Sequence, residues 1–302
     1  MMGTVIDLVV QHESPDFVLD EVVSRLKKYE HRFSANDSSS ELMVVNKNAG
    51  IQPVCVHPDL YQLIKIGKEH SCSPNSHLNI AIGPLVQTWR IGFEDAKVPT
   101  EEEIQLLLKK TDPHNIVLND QEQTIFLRKP GMLIDLGSLA KGFIADLIID
   151  YLKSVGVLSA LINLGGNIVV LGPAYNKIDP FWNIGIRKPG PSREDSMIVL
   201  KALNQSIVTS GIYERSLKDK EQTYHHILDS HTGYPVHTDV TSLTIVSDKS
   251  IDGEIWTTRL FGKSSEEIMN VLNQLNGIDG LIITKEEKIM YSNALEKRII
   301  KK

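Results

Sequence analysis

Residues 134–146 read Ile-Asp-Leu-Gly-Ser-Leu-Ala-Lys-Gly-Phe-Ile-Ala-Asp, and they narrow the choice of folds more than any other stretch. A short apolar run, 131–136, stops at Gly137 and gives way to a helical pattern that reaches Gly156. Strand, turn and helix are the plain reading. Ser138 stands where an N-cap is expected, its hydroxyl free to accept a bond from a first-turn amide. Unpaired first-turn amides and the helix dipole favour an anion, most often a phosphate. Lys141 adds positive charge to that turn, and Gly137 and Gly142 put no side chain between a ligand and the backbone. The spacing matches neither a Walker loop nor a GxGxxG fingerprint.

The rest of the chain limits the setting. It has 302 residues, 41% hydrophobic and 23% charged, with a net charge of −6, which is globular and lacks the basic balance of a nucleic-acid partner. No apolar run is long enough to span a membrane, and no signal-peptide pattern opens the chain. Cys55 and Cys72 lie far apart and form no CxxC, so a reducing, cytoplasmic setting is expected. The basic terminus Lys297-Arg298-Ile299-Ile300-Lys301-Lys302 reads as a solvated tail. Periodicity predicts a strand at 5–10, helices at 15–29 and 58–71, and a strand pair flanking Asn119-Asp120. It then predicts a helix at 138–155, strands at 158–164 and 167–171, and mostly strands over 182–246. Helices at 251–262 and 266–275 and a last pair of strands complete it. Helices and strands do not alternate strictly, which argues against a doubly wound parallel sheet. The expectation is one α+β domain over residues 1–302, with mixed and antiparallel sheets and flanking helices.

Two further clusters carry chemistry. Tyr224-His225-His226-Ile227 reads as a strand, which sets His225 and His226 on opposite faces. Imidazole is suited to proton transfer near neutral pH, and Asp229 is close in sequence. A histidine satisfied within a strand is the structural alternative. In Asp252-Gly253-Glu254-Ile255-Trp256-Thr257-Thr258, Glu254 and Thr258 are four apart and share a helix face. A carboxylate and a hydroxyl on adjacent turns suit a hard cation such as Mg2+. The alternative there is a first-turn acid favoured by the helix dipole. Ser40-Glu41 reads as a capping box, and Gly165-Gly166 as a hairpin turn.

Taken in order, six segments resemble the ApbE family, the FAD:protein FMN transferases. Residues 134–146 resemble its Asp-Leu-Gly-x-Ile-Ala-Lys-Gly block. Met2-Gly3-Thr4 resembles its opening Met-Gly-Thr, and Ser40-Glu41-Leu42 with Asn46 its Ser-Glu-Leu-x-x-x-Asn. Gly83-Pro84-Leu85, with Trp89 and Gly92, resembles its Gly-Pro-Leu segment. Asn163-Leu164-Gly165-Gly166-Asn167 resembles Asn-x-Gly-Gly-Asp. His226-Ile227-Leu228-Asp229, with Thr232-Gly233-Tyr234-Pro235, resembles His-x-x-Asp-Pro-x-Thr-Gly-x-Pro.

The resemblance implies an Mg2+-dependent transfer of FMN from FAD to a Thr or Ser hydroxyl of a target protein, with release of AMP. It implies His226 as the catalytic histidine, with Lys141 at the phosphates. It places Mg2+ on Glu254, Thr258 and the carbonyl of Ser138, with Thr257 as a further oxygen and Asp252 as an alternative carboxylate. FAD contacts fall on Met2, Asn36, His77, Leu78, Asn79, Asp135, Lys141 and Leu228. The implied acceptor segment resembles Ser/Thr-Gly-Ala-Thr/Ser. Among these implied site residues three depart from the family pattern: Glu254 and Asn79 where Asp is usual, and Asn36 where an aromatic is often found. Hydrolysis of FAD to FMN and AMP, or flavin binding without catalysis, are the rival readings.

Overall fold

Val18, Val22, Leu26, Tyr29 and Phe33 recur at helical spacing and are all buried along α1 (Pro15–Phe33), which follows β1 (Ile6–Gln11). Proline suits the first turn because its fixed φ is helical and its missing N–H has no partner to lose there. The structure, a computed structural model, describes residues 1–175, 177–190 and 196–301. Next come α2 (Glu41–Lys47), β2 (Val54–Cys55), α3 (Pro58–Ser71), α4 (Gly83–Trp89) and α5 (Glu101–Leu108). Strands β3 (Ile116–Asn119) and β4 (Thr124–Leu127) pair antiparallel, with β2 on the far edge of β4. Then follow α6 (Ala140–Ser154), β5 (Ser159–Leu164), β6 (Asn167–Leu171), β7 (Trp182–Arg187), β8 (Ser196–Ala202) and β9 (Gln205–Gly211). A ribbon of β10 (Ser216–Asp219) and β11 (Gln222–His225) precedes β12 (Val240–Ser247), α7 (Ser250–Leu260) and α8 (Ser265–Leu272). The last strands are β13 (Ile278–Thr284), β14 (Ile289–Tyr291) and β15 (Ile299–Lys301).

The main sheet has seven strands in the order β1-β5-β6-β9-β12-β13-β14, and its described pairings are antiparallel. Alternation along each strand feeds two layers. Val169 joins a core with α1, α6 and α7, while its neighbour Val170 faces a second core with β7 and β8. Ile282 packs with α8, while Leu281 and Ile283 face the second core. Helices therefore cover one face of the sheet, and the small β15-β8-β7 sheet covers the other. This is the expected α+β architecture.

Four local expectations need correction. Residues 131–136 form no strand. They run extended, and Asn46 pins them from α2, donating to Ile134 O at 3.0 Å and accepting from Ile134 N at 2.7 Å. Ser138 caps nothing. The helix starts at Ala140, because the Leu136 carbonyl already accepts from Leu139 and Ala140 in a preceding turn. The Ser40 cap is present, accepting from Met43 N, but Glu41 does not close a capping box; it reaches Arg32 and the His57 N–H instead. The basic terminus is not a solvated tail. Residues 299–301 pair with β8, Leu295 is fully buried, and Arg298 donates to Lys201 O and Gln205. Ile299 packs on the second core and the backbone pairs with the edge of β8; Lys302 lies outside the described residues.

Candidate active site

Two glycines let α7 pack closely, one on α6 and one on β9. A Cβ on Gly142 would lie 2.5 Å from Ser250 O and 2.7 Å from Glu254 Cγ, so only glycine fits the seam. Gly253 likewise lets α7 lie on β9, where a Cβ would meet Val208 at 2.5 Å. Asp146 of α6 spans the seam and accepts from Ser250 N at 2.7 Å and Ile251 N at 2.9 Å. It thus caps α7, whose own N-cap residue, Lys249, makes no side-chain cap bond. Burial pushes the Asp146 carboxyl up to about 6 despite these two bonds.

Glu254 is buried at the heart of the seam. Its Oε1 accepts from Asn167 Nδ2 at 2.9 Å, and Ser250 Oγ donates to Asn167 Oδ1 at 2.7 Å. Lys141 Nζ stands 4.0 Å from the same carboxylate oxygen. Burial raises the Glu254 pKa, while the Lys141 charge and the Asn167 bond oppose the rise. Thr257 is fully buried and spends its hydroxyl on the Glu254 carbonyl at 3.1 Å; Thr258 is half-buried. Asp252, in the first turn of α7, sits among Lys249, His70 and Asp248, and burial raises its pKa. Among the described residues, no group of three His, Cys, Asp or Glu side chains is arranged to hold a metal. Mg2+ does not need one, since it ordinarily takes one or two carboxylates and fills its shell with water and substrate phosphates. A buried carboxylate that accepts one amide bond and has its cation 4.0 Å away, on a helix that also offers Thr258, fits such an ion.

His226 lies one residue past the end of β11. The neighbouring histidines do face different surroundings: His225 Nε2 meets Val236 O at 3.1 Å, and His226 Nδ1 meets Arg215 O at 3.3 Å. A carbonyl can only accept, so Nδ1 carries the proton and Nε2 keeps its lone pair. Although part of the ring reaches solvent, burial pushes the His226 pKa down to about 4, and the Arg215 and Lys141 charges push the same way. Asp229 does not orient this ring. Its carboxylate accepts from the His231 backbone at 2.8 Å and meets the His231 ring at 3.1 Å.

The other expected residues are spread around this centre. Asp135 accepts from Gly137 N at 2.8 Å; burial raises its pKa, and that bond and Arg215 oppose the rise. Met2 has φ of 53° and donates its N–H to Glu30. Thr4 is pressed onto Gly165, where a Cβ would fall 2.0 Å from its hydroxyl. Asn36 is held by Gln87 at 3.1 Å and Arg90 at 3.3 Å. Leu78 and Leu228 are buried, the latter beside Trp89, whose indole donates to Gly233 O at 2.8 Å. Asn79 accepts from Ala81 N and donates to Thr111 O, both at 2.8 Å. His77 packs on Gly262 and leaves Nδ1 buried without a partner among the described residues; burial lowers its pKa. Residues 77–79 border a cleft of about 550 Å3 that also takes in Cys72, His114, His231 and Lys263.

The model of the ApbE family matches residues 2–282. This chain belongs to the ApbE family. It is 39% identical to the FAD:protein FMN transferase of Klebsiella pneumoniae over 97% of this chain and 90% of that protein. It is 34% identical to the enzyme of that name from Treponema pallidum, over 93% of this chain and 81% of that protein. Its fold matches the ApbE protein of Thermotoga maritima with a TM-score of 0.89 at 26% identity, covering 98% of this chain and 96% of the other. The flavin transferase ApbE of Vibrio cholerae gives 0.85 at 26% identity, covering 99% and 96%.

Two departures from the ApbE pattern meet in the structure. Asn167 and Glu254 both occupy positions where the resemblance gives Asp, and here they bond directly at 2.9 Å. Two carboxylates at that distance would repel; an amide facing a longer acid gives a donor–acceptor pair. Sequence reasoning had Asn167 only as part of a turn. It missed Asp146 and Arg215 altogether, because nothing local marks either residue.

Proposed function

We propose that the chain catalyses transfer of FMN from FAD to a Thr or Ser hydroxyl of a target protein, with AMP leaving. The observation that carries this reading is the Lys141 ammonium 4.0 Å from the buried Glu254 carboxylate at the start of α6, within a chain of the ApbE family, with His226 near enough to feel the Lys141 charge. Mg2+ would be held by the Glu254 carboxylate and the Thr258 hydroxyl, with the Ser138 carbonyl and Thr257 as further oxygens. Bound there, it would supply positive charge to the substrate phosphates.

This chain's residues do the rest. Lys141 offers its ammonium to the diphosphate from the first turn of α6. His226 is neutral at pH 7 and takes the hydroxyl proton at Nε2, while the Arg215 carbonyl holds Nδ1–H. The target oxygen attacks the FMN phosphorus, the bond to the AMP phosphate breaks, and FMN stays on the target as a phosphoester. The negative charge of bound FAD raises the His226 pKa towards its ordinary value, so substrate binding makes the base stronger. Met2, Asn36, His77, Leu78, Asn79, Asp135 and Leu228 are read as the wall around FAD. The acceptor is a segment resembling Ser/Thr-Gly-Ala-Thr/Ser. The reading takes residues 1–302 as one domain, and takes free Cys55 and Cys72 as support for a cytoplasmic setting. No described helix is long and apolar enough to cross a membrane.

The test is incubation with FAD and an acceptor peptide, with Mg2+ or with EDTA. Transfer gives a flavinylated peptide and AMP only when Mg2+ is present. AMP without labelled peptide means hydrolysis, and neither product means a flavin binder.

A further inference from the structure

Arg215 leads into the β10–β11 ribbon and is exposed, yet its side chain does not hang free. Its stem lies on Gly92, where a Cβ would come 2.7 Å from Arg215 Cδ. Its tip reaches Gly3, where a Cβ would stand 3.2 Å from Nη2. Both glycines have positive φ, 93° and 63°, so each suits its own turn and also clears a path for the arginine. Both belong to segments singled out in the sequence, and neither had a reason there. The packing fixes a side chain that would otherwise lose considerable rotamer freedom on binding an anion.

Among the described residues, no carboxylate lies within ion-pair distance of the Arg215 guanidinium. The acid beside it in sequence, Glu214, pairs with Arg187 at 3.1 Å. Asp135 feels the Arg215 charge but bonds to Gly137. The Arg215 carbonyl meanwhile accepts from both the backbone and the ring of His226, each at 3.3 Å. One residue thus orients the base through its backbone and holds an unneutralised cation beside it through its side chain. Lys141, the other cation whose charge reaches His226, is partly neutralised by Glu254. A planar, fixed guanidinium is well matched to phosphate oxygens.

We infer that Arg215 binds the diphosphate of FAD, as a second cationic contact next to Lys141. The inference rests on the transferase reading above and adds a residue to it. Flavin fluorescence titrations in EDTA, where nothing should turn over, test it with FAD and with riboflavin, which has the same ring and no phosphate. Arg215→Gln should weaken FAD binding roughly 10-fold or more, the usual scale for a lost charged hydrogen bond, and leave riboflavin unchanged. Arg215→Lys should recover part of the loss, because it restores charge without the fork.

Equal losses for FAD and riboflavin would show that Arg215 only shapes the site, and would overturn the assignment. Unchanged FAD affinity in Arg215→Gln would overturn it as well. So would a change confined to the KM for the acceptor, which would move Arg215 to target recognition. The wild type separates this inference from the reading beneath it. If it prefers FAD but transfers nothing, the transferase reading fails and the Arg215 contact stands. If it shows no preference for FAD over riboflavin, both fall.

Discussion

The α6–α7 seam and the β10–β11 ribbon each contribute half of the proposed site, and they are built in opposite ways. The seam is buried and fully cross-linked: Glu254, Asn167, Ser250 and Asp146 are joined by side-chain bonds of 2.7–2.9 Å, and Gly142 leaves no slack. The ribbon is mostly exposed and stands outside the main sheet. Its anchors are Leu217 and Tyr224 on the cluster around Trp89, with the two aromatic rings 5.2 Å apart. His226 follows it and is tied to Arg215 O by its backbone N–H and its ring, each at 3.3 Å. A two-stranded ribbon is marginal by itself, so the proposed base follows a weakly supported arm while Glu254 sits in a rigid floor. Substitutions in the ribbon should then cost activity with little stability, and substitutions in the seam should cost stability as well.

The largest effect expected is on the ribbon. His226→Ala should cut transfer by roughly 10²–10⁴ while the urea midpoint barely moves, and His225→Ala should do far less. A parallel loss of stability in His226→Ala would break the contrast. The pH profile sharpens it: kcat/KM reports the free enzyme, so its acid limb should lie near pH 4, while the limb of kcat moves upward with FAD bound. A kcat/KM limb at 6–7 would contradict the buried, doubly flanked imidazole.

In the seam, Glu254→Gln should raise the Mg2+ needed for half-activation by about 10–100-fold, with Asn167→Ala in the lower part of that range as the residue that holds the carboxylate. Asp252→Asn should be mild, because Asp252 faces Lys249 and His70. A normal Mg2+ activation curve for Glu254→Gln beside a collapsed one for Asp252→Asn would move the site upstream.

Asp146 gives a smaller effect, read in stability. Its pKa is raised by folding to about 6, so the folded state binds that proton more tightly than the unfolded one. Its stabilising contribution is therefore full below about pH 4 and is lost as pH rises through 6. Asp146→Asn cannot titrate, so its stability relative to wild type should improve between pH 4 and 7, on the order of 2 kcal/mol. Urea unfolding at both pH values measures this, and no relative change would mean that the carboxyl is well solvated. Gly142→Ala comes last. The clash with Ser250 O costs about 1–3 kcal/mol, against a gain of up to about 1 kcal/mol in helix propensity. A net loss of about 1–2 kcal/mol in the same measurement is expected.

The legible parts were those with local causes. The α3 span was read correctly as 58–71 from its proline start and apolar spacing, and α1 needed only one further turn to Phe33. The β5–β6 hairpin followed from Gly165-Gly166, which take φ of 65° and 91°. Ser138 misled because its position obeys the capping rule, while the Leu136 carbonyl had already closed the turn before it. The terminal strand was missed because its partner, β8, lies about a hundred residues earlier and four of the last six residues are basic. Lys141, Glu254 and His226 were all named from sequence with the resemblance to guide them. What ties them together was not, since Asn167 to Glu254 spans 87 residues and Asp146 to Ser250 spans 104.

That last separation has a consequence for the chain as it leaves the ribosome. Synthesis runs at about 5–20 residues per second, so Asp146 emerges roughly 5–20 seconds before the amides it will cap. During that interval α6 can already pack on α1 and the other upstream elements of its core, but the glycine notch at Gly142 stands without α7. Nothing encoded upstream of Ser250 can fill the notch in its place. The seam is therefore among the last parts of the protein to form.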